Sequence, residues 1–128
     1  MSYYFSKTLQ MPFDEAITLV TESLKAEGFG VMTTIEMHTK LKEKLGVDIQ
    51  KYTILGACNP PFAYKALQAE NKIGTMLPCN VIVQEIGGGK VEVAAVDPVE
   101  SMKAIENPAL GDVANQVRAL LKKVVDNL

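Results

Sequence analysis

Two cysteines, each followed by asparagine, are the residues of this chain best suited to chemistry. Cys58 lies in "LGACNPP", residues 55–61, and Cys79 in "LPCNV", residues 77–81; the chain has no other cysteine. A thiol at a helix N-terminus faces unpaired backbone N–H groups, which favour the thiolate and lower its pKa. The pattern predicts Asn59 as a helix cap and Pro60 as the first helical residue. Cys58 is therefore expected at a strand-to-helix junction with a depressed pKa, as a nucleophilic, redox-active or sulfur-carrying group. The plainer reading is a small filler in a tight turn, because free cysteine is among the most buried residue types.

Cys79 alternates with Leu77, Val81 and Val83, which places it on the apolar face of a strand, and packing is its stronger reading. Pro78 cannot donate to a ladder and marks a strand start or an edge. If the two strands are neighbours, both thiols stand at one end of the sheet. A site there would gather Cys58, Asn59, Pro60, Leu77, Pro78 and Cys79. Cys58 would be the reactive group, Cys79 the resolving thiol or second ligand, and Asn59 the residue that caps the helix and orients Cys58.

Other chemistry finds less support. His38 is the only histidine and the only candidate third soft ligand or dyad partner; at a strand end before a lysine-rich segment it reads as an exposed boundary residue. Short-spaced CxxC pairs are absent, so the expectation is no metal set and no cofactor. "GGGK", residues 87–90, lacks the helix that a phosphate loop requires and reads as a hairpin turn. Glu36, Glu85 and Asp97 have no spacing that selects them for acid–base work, and Asp97 before Pro98 reads as a cap. The six methionines, Met1, Met11, Met32, Met37, Met76 and Met102, are scattered and read as core and gap filling. Whether the protein is an enzyme stays open.

The elements that must position these residues follow from period and punctuation. Residues 3–10 alternate and predict a strand. Pro12 opens a helix whose buried stripe is Phe13, Ile17, Val20 and Leu24, and Gly28 ends it. Strand 29–36, a short helix from Thr39 to Leu45 closed by Gly46, and strand 51–57 follow. A helix then runs from Asn59 to about Glu70, and strands 77–86 and 90–96 form a hairpin across residues 87–89. The last helix, from about Ala109, carries Leu110, Val113, Val117, Leu120, Leu121 and Val124 along one side. The order β-α-β-α-β-α-β-β-α predicts an α+β fold: two layers, a largely antiparallel sheet of about five strands, and helices on one face.

At 128 residues the chain is expected to be a single domain, 1–128. Hydrophobic residues make up 48% and charged residues 22%, with a net charge of −2. The only basic cluster, Lys40, Lys42 and Lys44, is interrupted by Glu43, so no nucleic-acid partner is expected. No signal peptide or membrane-spanning run is apparent. The expected location is cytoplasmic, where thiols rest reduced.

The ordered segments "GFGVMTTIEM", "KLG", "YTILGACNPPFAYKAL", "GTMLPCNVIVQE" and "VDP" together resemble the DUF302 family, a domain of unknown function. The most specific parts are the C-N-P step at 58–60, with Ala63 and Leu67 after it, and the L-P-C step at 77–79. The resemblance implies an antiparallel sheet backed by helices, often in a dimer, and no established activity.

Three functional readings follow. The first is a small binding or carrier domain with a thiol site at Cys58 and Cys79, serving redox, sulfur transfer, or ligand or metal binding, its partner a small ligand or a sulfur-transfer protein. The second is a non-catalytic homodimerising domain in which both cysteines are packing residues. It uses the sheet face that a single helix layer leaves bare, where Thr8, Gln10, Asn80 and Gln84 lie. The third, an enzyme working through carboxylates, ranks last.

Overall fold

A computed structural model describes residues 2–128; Met1, one of the six methionines, lies outside the described residues. Strand β1 (Tyr4–Gln10) leads into helix α1 (Phe13–Ala26), β2 (Gly30–Glu36), α2 (Met37–Leu45), β3 (Tyr52–Cys58) and α3 (Pro60–Ala69). A 3-10 turn (Ile73–Met76) precedes β4 (Cys79–Gly87), β5 (Lys90–Val96), the short α4 (Pro98–Ser101) and α5 (Pro108–Asp126). The fold is the α+β arrangement expected. The five strands are ordered β1-β5-β4-β3-β2, and each neighbouring pair is antiparallel.

Period-two alternation sorts the sheet into two faces. Leu55, Ala57, Cys79, Val81, Val83, Val91, Val93 and Ala95 form the core face, and α1 and α5 pack onto it. In α5 the buried residues Leu110, Ala114, Val117, Leu121, Val124 and Val125 recur at helical spacing. The opposite face carries Tyr52, Ile54, Ile82, Ala94 and Val96, none of them fully buried. Thr8, Gln10 and Asn80 on that face are exposed, and Gln84 is half-buried. Among the described residues, no helix is long and apolar enough to cross a membrane.

Several boundaries differ from the sequence reading for local reasons. Pairing of β4 starts at Cys79 opposite Ala57, so Leu77 and Pro78 stand outside the ladder. The short α4 went unseen because one helical turn has no period to detect; Asp97 caps it by accepting from the Val99 N–H at 3.0 Å. Asn107 caps α5 through the Ala109 N–H, and its Nδ2 donates to the Ala69 carbonyl at 2.8 Å, tying the end of α3 to the start of α5. Met32 and Met76 are exposed rather than core residues, whereas Met11 and Met102 pack as expected.

Candidate functional site

The β3–β4 ladder brings the two cysteines together. Its last pair is Ala57 opposite Cys79, and Cys58 is one residue further along β3. Ladder geometry sets their Cα atoms on the order of 6 Å apart. Both thiols are free. Cys79 is buried and Cys58 is half-buried.

Beside them lies a pocket of about 290 Å³ between the end of the sheet and helices α3, α4 and α5. It exists because α3 packs against α5 and the 3-10 turn rather than down onto the sheet. Small side chains keep the gap open: Ala57 on the sheet, Ala63 and Ala66 on α3, and Ala114 on α5. Phe29, Phe62, Leu110 and Val117 supply apolar wall, and exposed Met32 and Leu67 stand at the rim. Five of the six residues proposed from sequence line it: Cys58, Asn59, Leu77, Pro78 and Cys79. Pro60 does not. The helical part of the wall was missed, because alanines at helical spacing look the same over a void as in a tight contact.

Local chain geometry fixes the junction. Gly56 precedes the cysteine step at a point where a Cβ would collide with Thr33 Oγ1 and would lie 2.7 Å from Pro78 Cγ, so only glycine fits. Gly28 ends α1 with φ +87°, in a Schellman arrangement where the Phe29 N–H donates to the Leu24 carbonyl at 2.9 Å. Asn59 packs against Gly28 and donates from Nδ2 to the Glu27 carbonyl at 3.4 Å.

Two sequence expectations are corrected here. Asn59 occupies the N-cap position of α3, but its side chain makes no capping hydrogen bond. Pro60 and Pro61 have no N–H to offer it, and its amide ties α3 to α1 instead. The second correction concerns ionisation. Burial pushes the Cys58 thiol above its ordinary value, not below it. Little opposes that burial, because the same prolines delete two of the backbone donors that would steady a thiolate at this helix start. Cys79 is pushed up to about 11, chiefly by burial and secondarily by the neighbouring Cys58 charge. No charged side chain lines the pocket, so both cysteines rest as neutral thiols.

His38 cannot join them. It lies at the start of α2, half-buried rather than exposed, with Nδ1 accepting from the Tyr52 N–H at 3.0 Å. Tyr52 begins the strand that Cys58 ends, which separates the two by roughly 20 Å of extended chain. No group of three or more His, Cys, Asp or Glu side chains suited to a metal occurs among the described residues. Asp97, also considered as a site residue, is only 4% exposed. It is committed to structure: Oδ2 accepts from Arg118 Nε at 3.0 Å, and that guanidinium lies 5.2 Å from the Phe5 ring centroid.

A family described as a domain of unknown function, DUF302, matches residues 5–128. The crystal structure of an uncharacterized conserved DUF302 protein from Bacillus stearothermophilus superposes with a TM-score of 0.89. It is 29% identical in sequence, and the match covers 98% of each chain. No curated protein matches the chain.

Proposed function

The chain belongs to the DUF302 family, and from that premise we propose that it is a cytoplasmic binding or carrier domain for a small, uncharged, largely apolar molecule held beneath α3. The observation that carries this reading is the pocket lined by apolar side chains, with the two thiols, Thr33 and Asn59 as its few polar groups. An apolar cavity of roughly 150 Å³ accepts benzene. The 290 Å³ here therefore suits a ligand of roughly twelve non-hydrogen atoms. A sealed void of that size would cost about 7 kcal/mol at ~24 cal/mol per Å³, comparable with the whole stability of a small domain. The open rim lowers that cost, and a ligand displaces water from apolar wall and removes it. A charged ligand would lose hydration without gaining a partner. Two free thiols accord with a reducing compartment.

The test is fluorescence titration with a neutral apolar probe of matching size, 1-naphthylamine. The expected result is saturable binding at one site. Ala63→Phe should abolish binding by filling the pocket from α3, while circular dichroism and the melting temperature stay close to wild type. Absence of saturable binding, or undiminished binding by a folded Ala63→Phe variant, rejects the proposal.

A second reading, a homodimerising domain with both cysteines as packing residues, is favoured by the bare sheet face. Ile54, Ile82, Ala94 and Val96 form an apolar strip there between Tyr4 and Tyr52, all on the side away from α1 and α5. The occupant is a second copy, whose identical strip is complementary to this one about a two-fold axis. Sedimentation equilibrium should then give a dimer that Ile82→Lys dissociates and Cys58→Ala with Cys79→Ala does not. A monomer at high micromolar concentration excludes it.

A further inference from the structure

We propose that Cys58 and Cys79 together form a site for a soft monovalent metal ion, Cu(I), with the thioethers of Met32 and Met102 as auxiliary sulfur ligands. Both cysteines and two of the methionines line one pocket, and neither histidine nor carboxylate lines it. Thiolates and thioethers select soft ions. Calcium and magnesium need oxygen ligands, and a structural zinc site needs four strong donors. Cu(I), a closed-shell soft ion, is satisfied by sulfur at low coordination number.

The backbone supports a shared ion. Cys58 ends its strand one residue beyond the Ala57–Cys79 pair, so the Cα atoms stand roughly 6 Å apart; alternation alone would turn the two side chains to opposite faces, but at this open end of the sheet both line the same pocket. A bulge in β2, where the register shifts between Val31 and Thr33, takes Met32 out of the ladder. Bulges re-aim side chains beside sites, and this one leaves Met32 68% exposed at the pocket rim.

The step balances without electron transfer. Each S–H bond breaks, both protons pass to solvent, and two S–Cu bonds form, leaving a dithiolate–Cu(I) complex of net charge −1. Proton release makes binding tighten with pH, by up to about 100-fold per unit below the thiol titration range. The site uses the same pocket as the apolar ligand but needs no organic occupant.

The experiment is an anaerobic titration of the reduced full-length chain with Cu(I) in competition with bicinchoninate. The expected result is one equivalent withdrawn per chain, with an ultraviolet thiolate-to-copper charge-transfer band. Cys58→Ser, at the half-exposed position that folds most safely, should lose the band and weaken binding by more than about 100-fold, since even outer partners of a metal can cost that much. Met32→Leu should weaken it about 10-fold. Retention of all copper by bicinchoninate, or equal withdrawal by a folded Cys58→Ser variant, overturns the site. Naphthylamine binding measured on the same sample separates the two proposals. Probe binding without copper sinks the metal site alone, and copper binding without probe sinks the apolar ligand alone.

Discussion

Burial of Cys79 has a consequence that can be measured at one atom. Its thiol is raised from about 9 to about 11, so at any pH below 9 its thiolate fraction is about 100-fold smaller than for an ordinary thiol. A more basic thiolate is also more nucleophilic, with a Brønsted slope of ~0.45, which returns roughly 10-fold. Ionisation therefore wins, and alkylation at neutral pH should run about 10-fold slower than for free cysteine before restricted access slows it further. The pH profile discriminates better than the absolute rate. In a Cys58→Ser background, iodoacetamide labelling of Cys79, read by mass spectrometry, should keep rising beyond pH 9, about tenfold per pH unit, and level only near pH 11. Stability follows the same linkage. The folded pKa is raised, so the stabilisation is fully present below the unfolded pKa and is lost as pH rises from about 9 to about 11. That loss is about 3 kcal/mol. It should appear as a narrowing gap in urea midpoint between wild type and Cys79→Ala over that range. An inflection in labelling at or below pH 8.5, or a gap that stays constant to pH 11, refutes the claim that apolar burial governs this thiol.

Three further expectations concern the frame around the pocket. Asp97→Ala removes both the α4 cap and the partner of Arg118; it should cost about 3 kcal/mol in urea denaturation, and Asp97→Asn less because the cap survives. Gly28→Ala should cost about 2 kcal/mol from its positive φ and its Cβ lying 3.2 Å from Asn59 Nδ2. Asn59→Ala should cost about 1 kcal/mol, and a double-mutant cycle should show the pair costing less than the sum, because truncating Asn59 makes room for the Cβ. Gly56→Ala should destabilise by about 2 kcal/mol or more, since Thr33 can rotate away but the Pro78 ring cannot; a midpoint within 0.5 kcal/mol of wild type, in the ordinary surface range, contradicts the packing described.

Local pattern carried most of the architecture. Alternation along β1, β4 and β5 and the stripe of α5 identify both the elements and their buried faces, because one-sided burial imposes periods of 2 and 3.6 directly on residue type. The paired strands at the cysteines were legible only as a condition, since adjacency of β3 and β4 is a long-range fact. Asn59 shows where local reading stops. Its position predicts a cap, but a neighbour 32 residues away, the Glu27 carbonyl, takes its amide.

The sequence by itself determined which segments would be strands and helices, that Cys58 would sit at a strand-to-helix junction, and that Cys79 would face the core. Those are properties of neighbouring residues and of apolar period. Only the tertiary structure decided that α3 stands off the sheet, that the gap is lined without charge, and that both thiols stay protonated. Each depends on how much water reaches a group, and water access is set by elements far apart in the chain.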